Sequence, residues 1–157
     1  MKPQTILVVD DNEDDIFLLE HALRALHFIN PFQVLDNGED AIAYFEGSGP
    51  YADRSRYPTP GLLLLDLHLP LNTGFEVLEW LRRNPHPELK VIVCTGTASP
   101  DERELASSLG AMRVFEKIPD FSRFVQQITN LPGVCVIPGP DGQELKFDCD
   151  QPALTKV

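Results

Sequence analysis

The chain opens on an uninterrupted apolar run, Thr5-Ile6-Leu7-Val8-Val9, which stops abruptly at Asp10-Asp11. A β-branched run without polar alternation predicts a strand covered on both faces, as in a parallel sheet. A helix follows, capped by Asn12, with Ile16, Leu19, Leu23 and Leu26 at helical spacing. Glu13, Asp14 and Asp15 in its first turn suit the positive end of a helix dipole. The alternation then repeats. Residues 32–35 predict a strand and residues 39–45 a short helix. Residues 47–61, punctuated by Pro50, Pro58 and Pro60, predict a long surface loop.

Residues 62–66 form a second fully apolar strand ending at Asp66. Residues 75–83 predict a helix with Val77, Leu78 and Leu81 turned inward, stopped before Pro85. Residues 91–94 predict another buried strand. Ser99-Pro100-Asp101-Glu102 opens a helix with a cap, a proline at the first position and a capping box. Gly110 ends it. Val114-Phe115 is a last short strand, and Asp120 caps a final helix carrying Phe121, Phe124, Val125 and Ile128. Five β-α units in alternation predict an α/β fold: a doubly wound, five-stranded parallel sheet with helices on both faces.

The pattern changes after Asn130. Residues 133–147 predict a β-hairpin turning at Gly139-Pro140-Asp141-Gly142. A three-residue loop there would place Cys135 and Ile137 on one face with Leu145 and Phe147. A lone hairpin is barely stable in water, so it must dock on its own domain or on a partner. The expected division is a domain over residues 1–131 and a C-terminal extension over residues 132–157.

Charge narrows the function. Lys plus Arg is 13 and Asp plus Glu is 24, for a net −11. That balance argues against nucleic acid, whose phosphates demand a basic face, and against an anionic membrane surface. The longest apolar runs are too short to span a bilayer, and no signal peptide is visible. Cys94, Cys135 and Cys149 lack metal-site spacing. They are odd in number, so a reduced, cytoplasmic protein is the simplest expectation; pairing of Cys135 with Cys149 under oxidation stays open, since the sequence does not place them close enough to claim it.

In a doubly wound sheet, ligands bind outside the carboxyl ends of the strands. Asp10 and Asp11 close the first predicted strand and Asp66 the third. Thr95 follows the fourth and Lys117 the fifth. Three clustered carboxylates repel one another unless a cation sits among them. Hard oxygen ligands with positions left for water suit Mg²⁺. A carboxylate beside such a metal can attack a phosphoryl group and form an acyl phosphate. The ammonium and the hydroxyl would stabilise the charge that develops. Each residue alone has a plainer reading: a helix cap, a turn, a strand-end hydroxyl, a solvated lysine. Their joint placement at the correct strand ends favours chemistry.

These residues carry a resemblance. Ile6-Leu7-Val8-Val9-Asp10-Asp11-Asn12, Leu62-Leu63-Leu64-Leu65-Asp66-Leu67-His68-Leu69-Pro70, Gly74, Val91-Ile92-Val93-Cys94-Thr95-Gly96 and Phe115-Glu116-Lys117 resemble the receiver domain of two-component response regulators. The resemblance covers about residues 4–131. It implies a flavodoxin-like strand order, 2-1-3-4-5. It implies Asp66 as phosphoacceptor and Mg²⁺ held by Asp10, Asp11, Asp66 and the backbone carbonyl of His68. Thr95 would hydrogen-bond the phosphoryl group, Lys117 would pair with its oxygens, and Gly96 would leave the pocket open.

Two departures stand out. Ile118 intervenes between Lys117 and Pro119, where the family places proline directly after lysine. Val114 stands at the family's aromatic switch position. The insert before Asp66 and the missing proline make the chain similar to stand-alone receivers of bacterial and cyanobacterial phytochromes. That subtype implies a sensor histidine kinase as donor, a bacteriophytochrome among them, and a histidine phosphotransfer protein as a further partner. It also implies a homodimer built with the C-terminal extension; the other reading of the hairpin is a flap on its own final helix. Two rival functions remain open: a receiver-like binding module that takes no phosphoryl group, and an aspartyl-nucleophile phosphohydrolase. The latter commonly needs a second carboxylate two residues after the nucleophile, where this chain has His68.

Overall fold

A computed structural model describes residues 2–149. The predicted tail beyond residue 149 lies outside the described residues. The strands are β1 (Ile6–Val9), β2 (Phe32–Leu35), β3 (Leu62–Leu65), β4 (Lys90–Thr95) and β5 (Arg113–Glu116). The helices are α1 (Glu13–Ala25), α2 (Gly38–Glu46), α3 (Gly74–Arg83), α4 (Pro100–Ser108) and α5 (Phe121–Thr129). The strands pair in parallel in the order β2-β1-β3-β4-β5.

Alternate side chains along each central strand feed two cores. Ile6, Val8, Leu62, Leu64, Ile92 and Cys94 pack against α1 and α5. Leu7, Val9, Leu63, Leu65 and Val93 pack against α2, α3 and α4. β1 and β3 are buried at every position, which is why their sequences show no polar alternation.

The helix starts follow local chemistry. The Asn12 side chain accepts from the Asp15 amide, and Asp120 accepts from the Ser122 and Arg123 amides. Ser99 and Glu102 form the expected capping box, and Thr73 with Glu76 forms another. The 47–61 segment carries one short 3₁₀ turn at Gly49–Tyr51. Its ordering comes from aromatic packing, with Tyr51 and Tyr57 against the buried ring of Tyr44.

The hairpin consists of β6 (Cys135–Gly139) and β7 (Gly142–Lys146). Its register differs from the expectation. Gly139 pairs with Gly142, so the loop has two residues, and Val136 pairs with Leu145. Val136 therefore shares a face with Leu145, while Cys135 and Ile137 sit opposite Lys146 and Glu144. One residue of loop length moves a whole strand to its other face.

Leu145 and Phe147 are fully buried in the core under α1 and α5. Each such burial stabilises by about 1.5–3 kcal/mol. Asn30 fixes the dock: its side chain donates to the Gln4 and Leu145 carbonyls and accepts from the Leu145 amide. The Phe147 amide donates to the Gln4 side chain at 2.7 Å. The hairpin thus docks on its own domain.

The cysteine expectation also changes. Cys135 and Cys149 form a disulfide, with Cα atoms 6.2 Å apart, and Cys94 is the free thiol among them. The chain turns back after β7, and the Cys149 amide donates to the Gly133 carbonyl at 3.0 Å. That return brings Cys149 beside Cys135, which spacing alone did not show.

Candidate acidic phosphoryl-transfer site

Five predicted residues meet at the carboxyl edge of the sheet. Asp10 and Asp11 follow β1, Asp66 follows β3, Thr95 ends β4 and Lys117 follows β5. One carboxylate oxygen from each of Asp10, Asp11 and Asp66 falls within a common span of 4.8 Å. Asp10 and Asp66 are buried at 6% and 7% exposure, while Asp11 is exposed.

Both oxygens of Asp66 are met by donors. The Thr95 hydroxyl donates to Oδ1 at 3.0 Å, and the His68 backbone amide donates to the same oxygen at 3.1 Å. Lys117 Nζ lies 3.2 Å from Oδ2. Thr95 is fully buried, so its hydroxyl has a fixed partner. Lys117 Nζ also lies 2.7 Å from Asp10 Oδ2 and 2.9 Å from Asp15 Oδ2.

Asp15 is the site residue that sequence reasoning missed. Its place in the first turn of α1 is already accounted for by the helix dipole, which hides its second role. The signal that could have found it is helical geometry, because α1 starts directly after Asp10 and Asp11 at the same sheet edge.

The charges shape the site. Burial raises the Asp10 carboxyl above its ordinary value, and the Lys117 hydrogen bond pulls it partly back. Burial alone would lower Lys117, but hydrogen bonds to Asp10 and Asp15 and the negative field of the cluster outweigh it and raise the ammonium's pKa. Burial pushes the Cys94 thiol up to about 12, so it is a neutral core group. One ammonium meets the carboxylates of Asp10, Asp15 and Asp66, with Asp11 beside Asp10 and Asp66, and the surplus negative charge suits a divalent cation bound through oxygen.

The backbone keeps the site open and close-packed where each is needed. A Cβ at Gly96 would meet nothing within 4 Å. A Cβ at Gly74 would lie 2.3 Å from the Asp66 carbonyl oxygen, so only glycine lets α3 start so near the end of β3. No cis peptide bond occurs among the described residues, so Lys117–Ile118 is trans. The His68 side chain faces Glu102 of α4, with Nε2 3.6 Å from the carboxylate.

The chain is similar to known proteins in sequence and fold. The chain is 33% identical to response regulator Rcp1 of Synechocystis sp. over 101 residues, 64% of this chain and 67% of Rcp1. The Mn²⁺-bound structure of Rcp1 superposes with a TM-score of 0.73 at 29% identity, covering 82% of this chain and 94% of that one. The phosphorylated cyanobacterial phytochrome response regulator RcpA gives 0.71 at 28% identity, covering 80% and 89%. The bacteriophytochrome response regulator AtBRR gives 0.68 at 32% identity, covering 83% and 94%. The model of the response regulator receiver domain matches residues 6–129. With the acidic edge, the strand order and this match in agreement, the chain belongs to the response regulator receiver domain family.

Proposed function

We propose that this chain is a phytochrome-associated response regulator whose Asp66 accepts a phosphoryl group from the phosphohistidine of a sensor kinase. The observation that carries the reading is that both Asp66 oxygens are met by the donors the transfer needs. An Asp66 oxygen attacks phosphorus, the bond to the donor's ring nitrogen breaks, and the leaving imidazole takes up a proton. Little covalent work falls to the protein, so positioning and charge dominate. Lys117 faces the oxygens where charge develops. Thr95 turns its hydroxyl from the carboxylate to a phosphoryl oxygen.

Mg²⁺ is the metal we assign, held by Asp10, Asp11, Asp66 and the His68 backbone carbonyl. When bound, it would supply positive charge against the negative charge of the transferring phosphoryl group. The Mn²⁺-bound Rcp1 and the phosphorylated RcpA support a divalent cation and phosphorylation in relatives of this fold. The chain acts on no other substrate in this reading; its chemistry is self-phosphorylation and slow autodephosphorylation.

The relatives' names support a bacteriophytochrome kinase as donor. A histidine phosphotransfer protein is the further partner we assign, and we place both in the cytoplasm. No helix among the described residues is long and apolar enough to cross a membrane. We read residues 1–131 as the receiver and 132–157 as an extension, whose hairpin over residues 135–146 docks on it. Val136 and Ile137 of β6 stay 39% and 38% exposed, which supports a homodimer through the outer strand of that extension.

Intact mass after incubation with acetyl phosphate tests the reading. One phosphoryl adduct with Mg²⁺ and none with a chelator is the expected result. A folded protein that takes no adduct, from acetyl phosphate or from a phosphorylated kinase, would sink it in favour of a phosphorylation-independent module.

A further inference from the structure

The end of the sheet opposite Asp66 carries a local charge of the other sign. A cavity of about 390 Å³ opens where the chain enters β1 and β2, walled by the 47–61 insert. That size falls within the range of small-molecule sites. Its lining holds Lys2, Arg54 and Arg56 and no Asp or Glu. The whole chain has 24 acids against 13 bases, so three cations around one cavity without an acid reverse the general balance.

The three cations differ in what they already hold. Arg54 is committed to the fold. Its Nη1 donates to the Tyr44 carbonyl at 2.7 Å and its Nη2 to the Phe45 carbonyl at 3.3 Å, at the C-terminal end of α2. Arg56 lies over the Tyr57 ring, 5.5 Å from its centroid, and both Arg56 and Lys2 are exposed. Among the described residues, neither of these two has a carboxylate within ion-pair distance. Asp53, the one acid of the insert, lies outside the lining. It accepts the amide and the hydroxyl of Ser55 instead, at 3.0 and 2.6 Å.

Thr5 also lines the cavity, and it is only 3% exposed. It precedes Leu7 by two residues, which puts it on the α2 side of the sheet. Gln33 stands opposite Leu7 in the parallel register and faces the same way, donating to the Arg56 carbonyl at 3.2 Å. The Thr5 carbonyl accepts the Gly61 amide, but its hydroxyl has no hydrogen-bond partner among the described residues. Buried hydroxyls are bonded as a rule, so this one requires a partner from the cavity.

We propose that this cavity binds a small phosphate monoester. Lys2 and Arg56 take the phosphate, which carries about two negative charges at neutral pH. The Arg56 guanidinium can offer parallel N–H donors to two phosphate oxygens. The Thr5 hydroxyl bonds a polar atom of the organic body, which rests against Pro31 and Pro58 of the lining. Arg54 stays on its carbonyls and adds fixed positive charge to the wall. The site lies at the far end of the strands from the carboxylates, so it stands independently of the chemistry assigned to Asp66.

Isothermal titration calorimetry in chelator tests the proposal, since chelator keeps metal-bridged phosphate off the acidic edge. The probes are AMP and ribose 5-phosphate, with adenosine, ribose and inorganic phosphate as controls. At least one monoester is expected to bind wild type about tenfold tighter than any control. Binding of AMP alone would identify a nucleotide, and equal binding of both a sugar phosphate. Lys2→Gln and Arg56→Gln should each weaken the monoester about tenfold. Thr5→Val keeps the side-chain shape and should weaken it about threefold. Circular dichroism melts confirm that each variant folds. Monoesters that bind no tighter than inorganic phosphate would overturn the proposal, because the cavity would then be an unselective cationic surface. Monoester binding unchanged in all three variants would overturn it as well, by placing the ligand elsewhere.

Discussion

Lys117 Nζ lies 2.7 Å from Asp10 Oδ2 and 3.2 Å from Asp66 Oδ2, so one ammonium bridges the ends of β1 and β3. The three side chains are largely buried. Lys117 thus serves as the internal counter-ion of a site with more carboxylates than cations. Removing one partner of a buried charge cluster leaves the others uncompensated. Lys117→Met is expected to lose about 2–3 kcal/mol of stability in chelator, measured by urea unfolding. Added Mg²⁺ should restore a larger part of that loss than it adds to wild type. Equal stability of variant and wild type in chelator would argue against the counter-ion role.

The metal's effect on stability should depend on pH in a defined direction. Burial raises the Asp10 carboxyl above 3.8. A raised folded value means that Asp10's own contribution is fully present below pH 3.8 and is lost as pH rises through the raised value. Mg²⁺ needs the carboxylate and competes with that proton, so its stabilisation runs the other way. At about ten times the Kd it adds about 1.4 kcal/mol to stability near neutral pH. That gain should shrink as pH falls through Asp10's raised value. Thermal melts with Mg²⁺ and with chelator, across a pH series, check both signs. A gain that grows on acidification would contradict the assignment.

Close packing behind Asp66 leaves no room for a side chain at Gly74. A Cβ there would lie 2.3 Å from the Asp66 carbonyl oxygen and 2.7 Å from Leu67 Cα. Gly74→Ala should cost about 1–3 kcal/mol through the forced backbone shift. It should also slow labelling of Asp66 by acetyl phosphate, because the shift moves Asp66 itself. Gly96→Ala is the contrast, since its Cβ meets nothing, and it should leave urea stability unchanged within error.

At the opposite end of the sheet, Asn30 holds the hairpin by bonding both backbone groups of Leu145. Asn30→Ala leaves those buried groups without partners and should cost about 2–3 kcal/mol. Hydrogen exchange should rise first across residues 142–147. Uniform exchange across the whole domain would instead mean that the hairpin and the sheet unfold as one unit.

The features readable in the sequence are those with a local cause. β1 and β3 announce themselves because a strand buried on both faces admits no polar residue until it reaches the edge, where Asp10 and Asp66 stand. The caps at Asn12, Ser99 and Asp120 are readable because the cap bond is made within three residues. The hairpin register is not, since a two-residue and a three-residue loop suit Gly139-Pro140-Asp141-Gly142 alike and only burial of Leu145 and Phe147 decides between them. Asp15 is hidden by a sufficient local explanation. Asn30 and the Cys135–Cys149 pair are hidden because their partners lie far along the chain or beyond a turn.

The central claim is that Asp66 itself carries the phosphoryl group. Reductive trapping with borohydride after acetyl phosphate and Mg²⁺ treatment tests it most directly, because it converts an aspartyl phosphate to homoserine that peptide mass spectrometry locates. The account predicts homoserine at position 66 in wild type and none in Asp66→Asn. Homoserine at Asp10, Asp11 or Asp15 instead, or its absence from a folded wild-type protein, would contradict it.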